Sequence, residues 1–200
     1  MAMPGWMGSV IQYVRPSELK KELNEQFRLT HPKVERTLTL SQIRNLKKKI
    51  VDVAEEMDLD PSCVAQSFVY FEKLIIKDKV NKANRRLVAA ACLLLALKAS
   101  ADEFLLAANE NDLSPAGKGA PKETRETKYA RLLETVDKHL DVSPKEVVTH
   151  EFSVFAALEF SLYVPAREMV PHLVRVGHLL KMKRIEEYAD AEGKWWRAGE

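Results

Sequence analysis

Residues 87–97 read Leu-Val-Ala-Ala-Ala-Cys-Leu-Leu-Leu-Ala-Leu, a run with no polar position on any face. As a helix it rises only about 16 Å, roughly half of a bilayer core, so it predicts a helix buried on all sides rather than a membrane span. Ala89, Ala90, Ala91 and Ala96 let neighbouring backbones approach closely, and the leucines fill the remaining gaps. Asn81 or Asn84 caps the start, and Lys98 places a cation at the C-terminal end of the run, where the helix dipole favours one.

Amphipathic patterns surround this run. Pro16 fixes the first turn of a helix over about 17–29, with Leu19, Leu23 and Phe27 every four residues, and His31-Pro32 ends it. Thr39 and Gln42 have capping-box spacing and Leu38 can staple onto Ile43, opening a helix that turns Ile43, Leu46, Ile50, Val53 and Met57 inward. Lys47, Lys48 and Lys49 lie between these positions and read as a solvated face. Asp60-Pro61 starts a third helix through Lys77, with Val64, Phe68, Phe71 and Ile75 as a core stripe widened by Val69, Leu74 and Ile76. The central helix continues in part toward Leu106. Residues 109–127, dominated by Asn, Asp, Ser-Pro, Gly and mixed charge, cannot bury enough apolar surface to offset ordering and predict a mobile inserted loop.

Tyr129, Leu132, Leu133, Val136 and Leu140 carry the next helix. Ser143, Pro144 and Glu146 suggest a second capping box, opening a helix to about Leu162 with Val147, Val148, Phe152, Phe155, Ala156 and Leu158 as its apolar set. Pro165 stops it, and a last helix over 166–185 turns Met169, Val170, Leu173, Val176 and Leu180 inward. No β-alternating run is present, and the class is all-α.

Composition narrows the function. The chain has 200 residues with 31 basic and 29 acidic side chains, a formal net charge of +2, which suits one domain with an extension and gives no general case for nucleic acid or a membrane surface. Cys63 and Cys92 sit in apolar helical runs and read as buried reduced thiols of an intracellular protein, nuclear or cytoplasmic; residues 1–9 lack the pattern of a signal peptide. The five histidines are scattered, with no metal-ligand spacing. Gly117-Lys118-Gly119 lacks both the spacing and the preceding strand of a phosphate loop. Glu151 and Glu159 stand about 12 Å apart along a helix, too far to act as acid and base on one bond. No catalytic residue, cofactor, metal or small-molecule substrate is indicated; the better class is binding through helical surfaces. Trp195-Trp196 is an odd pair to leave in water and suggests docking on the domain or on a partner, and Ser114-Pro115 is a candidate proline-directed phosphosite.

Five helices with the middle one apolar all round is the layout of the cyclin box, and particular residues support the likeness. Glu55-Glu56 ahead of Leu59 and the block Phe68-Val69-Tyr70-Phe71-Glu72-Lys73-Leu74 resemble its first two helices. The central run ending in Lys98 resembles the third, and His150-Glu151-Phe152 with Ala157-Leu158-Glu159-Phe160 resembles the fifth with its glutamate. Over nearly the whole chain, Tyr13-Val14-Arg15-Pro16-Ser17-Glu18-Leu19, Leu38-Thr39-Leu40-Ser41, the Phe68–Leu74 block and Asn81-Lys82-Ala83-Asn84-Arg85 resemble the C-terminal cyclin-like domain of the Cables family, the Cdk and Abl enzyme substrates. The bare fold is less specific, since the transcription factor IIB core and the retinoblastoma pocket also use cyclin boxes.

With a cyclin box over 38–164, the chain divides into an extension with a helix over 1–37, the box itself, whose cyclin spacing the mobile insertion at about 107–127 interrupts, and a C-terminal helix and tail over 165–200. The resemblance implies a cyclin-dependent protein kinase as partner, with a tyrosine kinase as a second, and Lys98 and Glu151 as the kinase-binding residues. Cell-cycle cyclins also carry an apolar groove for substrate motifs containing Arg-x-Leu. Here the matching stretch from Gln42 to Lys49 puts Lys49 where those cyclins have tryptophan, which argues against recruitment by that route. Two rival readings remain: an adaptor that uses the fold without activating a kinase, and a nucleic-acid-binding cyclin fold using Lys47, Lys48, Lys49, Lys181, Lys183 and Arg184. The near-zero net charge opposes the second.

Overall fold

The computed structural model describes residues 14–111 and 125–182, the side chains of 101–111 and 125 excepted. These residues form seven α-helices and no strand: α1 (Pro16–Thr30), α2 (Leu40–Met57), α3 (Pro61–Ile76), α4 (Arg85–Asn111), α5 (Arg125–Leu140), α6 (Pro144–Ala157) and α7 (Ala166–Leu179). Helix α4 is the apolar run, and it is in contact with α2, α3, α5 and α6. From Val88 to Leu97 every residue is buried. Asn81 Oδ1 accepts from the backbone N–H groups of Ala83 and Asn84, and Asn84 Oδ1 accepts from that of Asn81, so both asparagines close the start of α4. The helix runs past Lys98 to Asn111, and α5 begins at Arg125. The expected loop is therefore helical at both its margins, while its middle, with Ser114, lies outside the described residues.

The covering helices follow from local signals. At α2, Thr39 and Gln42 form the capping box, with Leu38 and Ile43 both buried beside it. At α3, Asp60 accepts from the backbone N–H of Ser62, and Pro61 occupies the first turn. Helix α1 has no buried residue; it is tied to α2 by Asn24 Oδ1, which accepts from both the backbone and the hydroxyl of Ser41. Glu56 near the end of α2 accepts from Lys138 and faces His139 Nε2 at 2.7 Å, joining α2 to α5. Helix α7 ends at Leu179, short of the expected 185; Lys181 follows in a left-handed conformation, and residues from 183 on lie outside the described set.

The lysine run of α2 is not the solvated face expected. Lys48 is exposed, Lys49 donates to the carbonyl of His139 at 2.9 Å, and Lys47 is buried, with only 4% of its surface accessible. Its ammonium pairs with Glu72 of α3 and lies 4.8 Å from the centroid of the Phe68 ring. The other carboxylate oxygen of Glu72 faces His172 Nε2 of α7 at 3.3 Å, and Lys73 pairs with Glu168 at 2.8 Å. A polar cluster thus links α2, α3 and α7 at the edge of the core. Burial lowers the Lys47 pKa despite the carboxylate. Burial alone would raise the Glu72 carboxyl, but the His172 hydrogen bond and the charge and hydrogen bond of Lys47 together hold it at about 2.

Two outcomes follow. Ala91→Leu, at a position with no accessible surface, should overpack α4 and cost about 1–3 kcal/mol in denaturant unfolding. Glu72→Gln should cost about 3 kcal/mol because it strands a buried ammonium, and adding Lys47→Met should recover most of that loss. The folded pKa of Glu72 lies below its ordinary 4.5, so its stabilisation is complete above that pH and is lost as pH falls toward 2; the pH dependence of unfolding in Glu72→Gln should lack this component.

Candidate functional site

Helix α6 opens at Pro144, with Ser143 at the N-cap; the Ser143 side chain makes no capping bond, so the expected second capping box does not form. The face of α6 toward the core is Val147, Val154 and Leu158, and Glu151 falls in this line between Val147 and Val154. A carboxylate there needs a partner, and Lys98 supplies it from α4: its Nζ donates to Glu151 Oε1 at 2.5 Å and Oε2 at 2.7 Å. The ammonium also stands 5.7 Å from the Tyr129 ring of α5. The Lys98 side chain keeps 38% of its surface accessible and Glu151 18%, so the pair is reachable from solvent. Because α4 continues to Asn111, Lys98 is interior to its helix and does not serve a helix end. The two residues expected to act together are brought together, as an ion pair with each other.

Beside the pair, the apolar set expected on α6 divides between two faces. Val148 and Phe152, expected inward, are exposed, Phe152 by 70%. The helix also stops at Ala157 rather than near Leu162, because Glu159 and Phe160 take left-handed conformations with φ of 61° and 57°. For a residue with a Cβ this backbone costs roughly 1–2 kcal/mol, and for a bulky side chain it is uncommon. The turn sets the Phe160 ring 6.1 Å from that of Phe152 and 5.3 Å from that of Phe155, and Phe160 is itself 61% exposed. Lys77, the residue that caps the C-terminus of α3, holds the turn, donating to the Ala157 carbonyl at 3.4 Å and to Glu159 at 2.7 Å, a bond that holds the Glu159 carboxyl below its ordinary pKa. Beyond it, the Leu162 carbonyl accepts from Tyr70 and Gln66, leaving Tyr163 exposed. The result is an aromatic surface on α6 bordered by the Lys98–Glu151 pair.

Other candidates do not converge on a site. Gln42 is engaged in the α2 cap and Lys49 in its bond to His139, so the stretch that carries the docking groove in cell-cycle cyclins is polar here. Of the basic patch considered for nucleic acid, Lys47 is buried and Lys183 and Arg184 lie outside the described residues. An open cleft of about 630 Å³ is lined by Glu35, Thr37, Asn81, Lys82, Ala83 and Arg85, at the start of α4. Both cysteines are buried, and desolvation pushes the Cys63 thiol up to about 12. Among the described residues no cluster could hold a metal ion, and no helix is long and apolar enough to cross a membrane.

Comparison with known proteins agrees with this architecture. The family described as cyclin, N-terminal domain, matches residues 9–163. The chain is 37% identical over 171 residues to the Mus musculus protein CDK5 and ABL1 enzyme substrate 2, covering 86% of this chain and 31% of that protein. It is 38% identical over 177 residues to the Homo sapiens CDK5 and ABL1 enzyme substrate 1, covering 88% of this chain and 24% of that protein. The chain thus spans about a quarter to a third of the length of these relatives, in their C-terminal part. No solved structure matches it significantly. An all-helical domain wrapped around one apolar helix, with the family match over most of its length, places this chain in the cyclin N-terminal domain family.

Proposed function

We propose that this domain binds a cyclin-dependent protein kinase through the surface made by Lys98, Glu151 and the aromatic face of α6. The observation that carries the reading is the pair itself. A partly exposed ion pair stands on the core-facing line of a helix, next to aromatic rings that gain nothing from water. The two charges present donor and acceptor capacity side by side, which suits recognition of a partner's polar groups, while Phe152 and Phe160 offer apolar area for the centre of a contact. The names of the relatives, which join them to CDK5 and ABL1 as enzyme substrates, support a kinase as partner, with a tyrosine kinase as a second. Contact of this kind acts by favouring one position of a mobile kinase element, a population shift without chemistry in this chain. The box that does so is residues 38–164, flanked by the N-terminal extension and by α7.

The pair keeps contact with solvent, so Lys98→Ala or Glu151→Ala should lower unfolding stability by no more than about 2 kcal/mol. Affinity for the kinase should fall by about 2–5 kcal/mol for each, because the remaining charge is left unpaired in a desolvated contact. The double variant should lose less than the sum of the two. Measured by calorimetric titration on preparations with matched thermal midpoints, full affinity in the double variant would instead support an adaptor that engages its partner on another face.

A further inference from the structure

The aromatic face of α6 has a second candidate occupant within the same chain. Two indoles stand together in the C-terminal segment, in Lys194-Trp195-Trp196-Arg197, and these residues lie beyond Met182, where the described structure ends. We infer that this segment docks on the face formed by Phe152, Phe155 and Phe160 and thereby masks the surface assigned above to the kinase, a regulatory role that rests on that assignment.

Three observations converge. The first is shape and chemistry: three rings are clustered and two of them, Phe152 and Phe160, are largely in solvent, which matches what a pair of indoles needs to leave water. The second is the left-handed turn. Phe160 is held in a conformation that glycine would adopt without strain, and its effect is to keep the ring against Phe152 and Phe155 on the outside of the domain. The third is charge. The indoles are flanked by a lysine and an arginine, and the rings by Glu159, whose side chain remains 80% accessible although Lys77 bonds it. Reach is not limiting: the residues from Met182 to Trp195 can span up to about 45 Å, comparable with the roughly 40 Å width of a domain of this size. Helix α7, from which the segment leaves, packs on α3, whose C-terminal cap Lys77 also holds the turn.

The three tryptophans of the chain are Trp6, Trp195 and Trp196, so the full chain carrying Trp6→Phe reports on the segment alone. Its emission should be blue-shifted and protected from acrylamide. In Phe152→Ser, and in Phe160→Gly, which removes a ring while relieving the turn, emission should move to the red and quenching should rise severalfold while the far-ultraviolet circular dichroism stays that of the parent. Emission and quenching identical in all three proteins overturn the inference, as does protection that appears only with rising concentration, which would mark a second copy as the occupant. A separate titration tests the masking. If the segment is docked nine-tenths of the time, Trp195→Ala with Trp196→Ala should tighten kinase binding about tenfold. Unaltered affinity overturns the masking, whereas a kinase that binds neither protein overturns the kinase assignment and leaves the fluorescence result to judge the docking.

Discussion

Everything in this domain depends on the need to cover α4 on every side. A helix with a polar face can lie at the surface, but the run around Ala89 to Ala96 has none, and burial there is complete. Four helices have to meet it, and the alanines allow some of them to come close. Each covering helix turns one line of side chains inward and is free to use its remaining surface for something else. The Lys98–Glu151 pair is a product of this arrangement. Glu151 stands in the inward line of α6, where α4 offers it an ammonium one step beyond the apolar run. The buried lysine of α2 solves a related problem at another edge, where Glu72 and the Phe68 ring receive it.

The outer surface of α6 shows what that freedom permits. A helix covering a core ordinarily exposes polar side chains, yet here Val148 and Phe152 face solvent, and the chain beyond α6 bends through a left-handed phenylalanine that adds a further ring. Exposed rings and an uncommon backbone conformation at one place carry a cost in the isolated domain, and this cost is what motivates the proposal that the face is covered by a partner. The proposed kinase contact and the proposed docking of the C-terminal segment are two uses of one face, and they exclude each other by geometry.

Much of the fold is legible in the sequence because the signals are local. Thr39 with Gln42 and Asp60 with Pro61 state where α2 and α3 begin, and the unbroken apolar run identifies α4. The misreadings have a physical pattern. Helix α6 carries apolar residues on two faces, Val147, Val154 and Leu158 on one and Val148 and Phe152 on another, and periodicity cannot say which face is covered. Its early end at Ala157 depends on a left-handed turn made without glycine, and phenylalanine gives no warning of one. Burial of Lys47 depends on Glu72 and His172, residues distant in sequence, so a lysine run that resembles a solvated face hides one member of the core. Lys98 reads as a helix-end cation because the apolar run stops there, although the helix itself does not. The proposed site at Lys98 and Glu151 is readable in the sequence mainly through family resemblance, helped by a carboxylate on an apolar helix line; the aromatic face beside them requires the three-dimensional arrangement.

The central claim is that the face of α6 around the Lys98–Glu151 pair receives a cyclin-dependent kinase. A structure of this chain bound to such a kinase tests it most directly. The account predicts kinase atoms within hydrogen-bond distance of Lys98 Nζ or the Glu151 carboxylate, with Phe152 and Phe160 removed from solvent. A complex that leaves these four side chains in water and buries the surface of α1, α2 or α7 instead would contradict it.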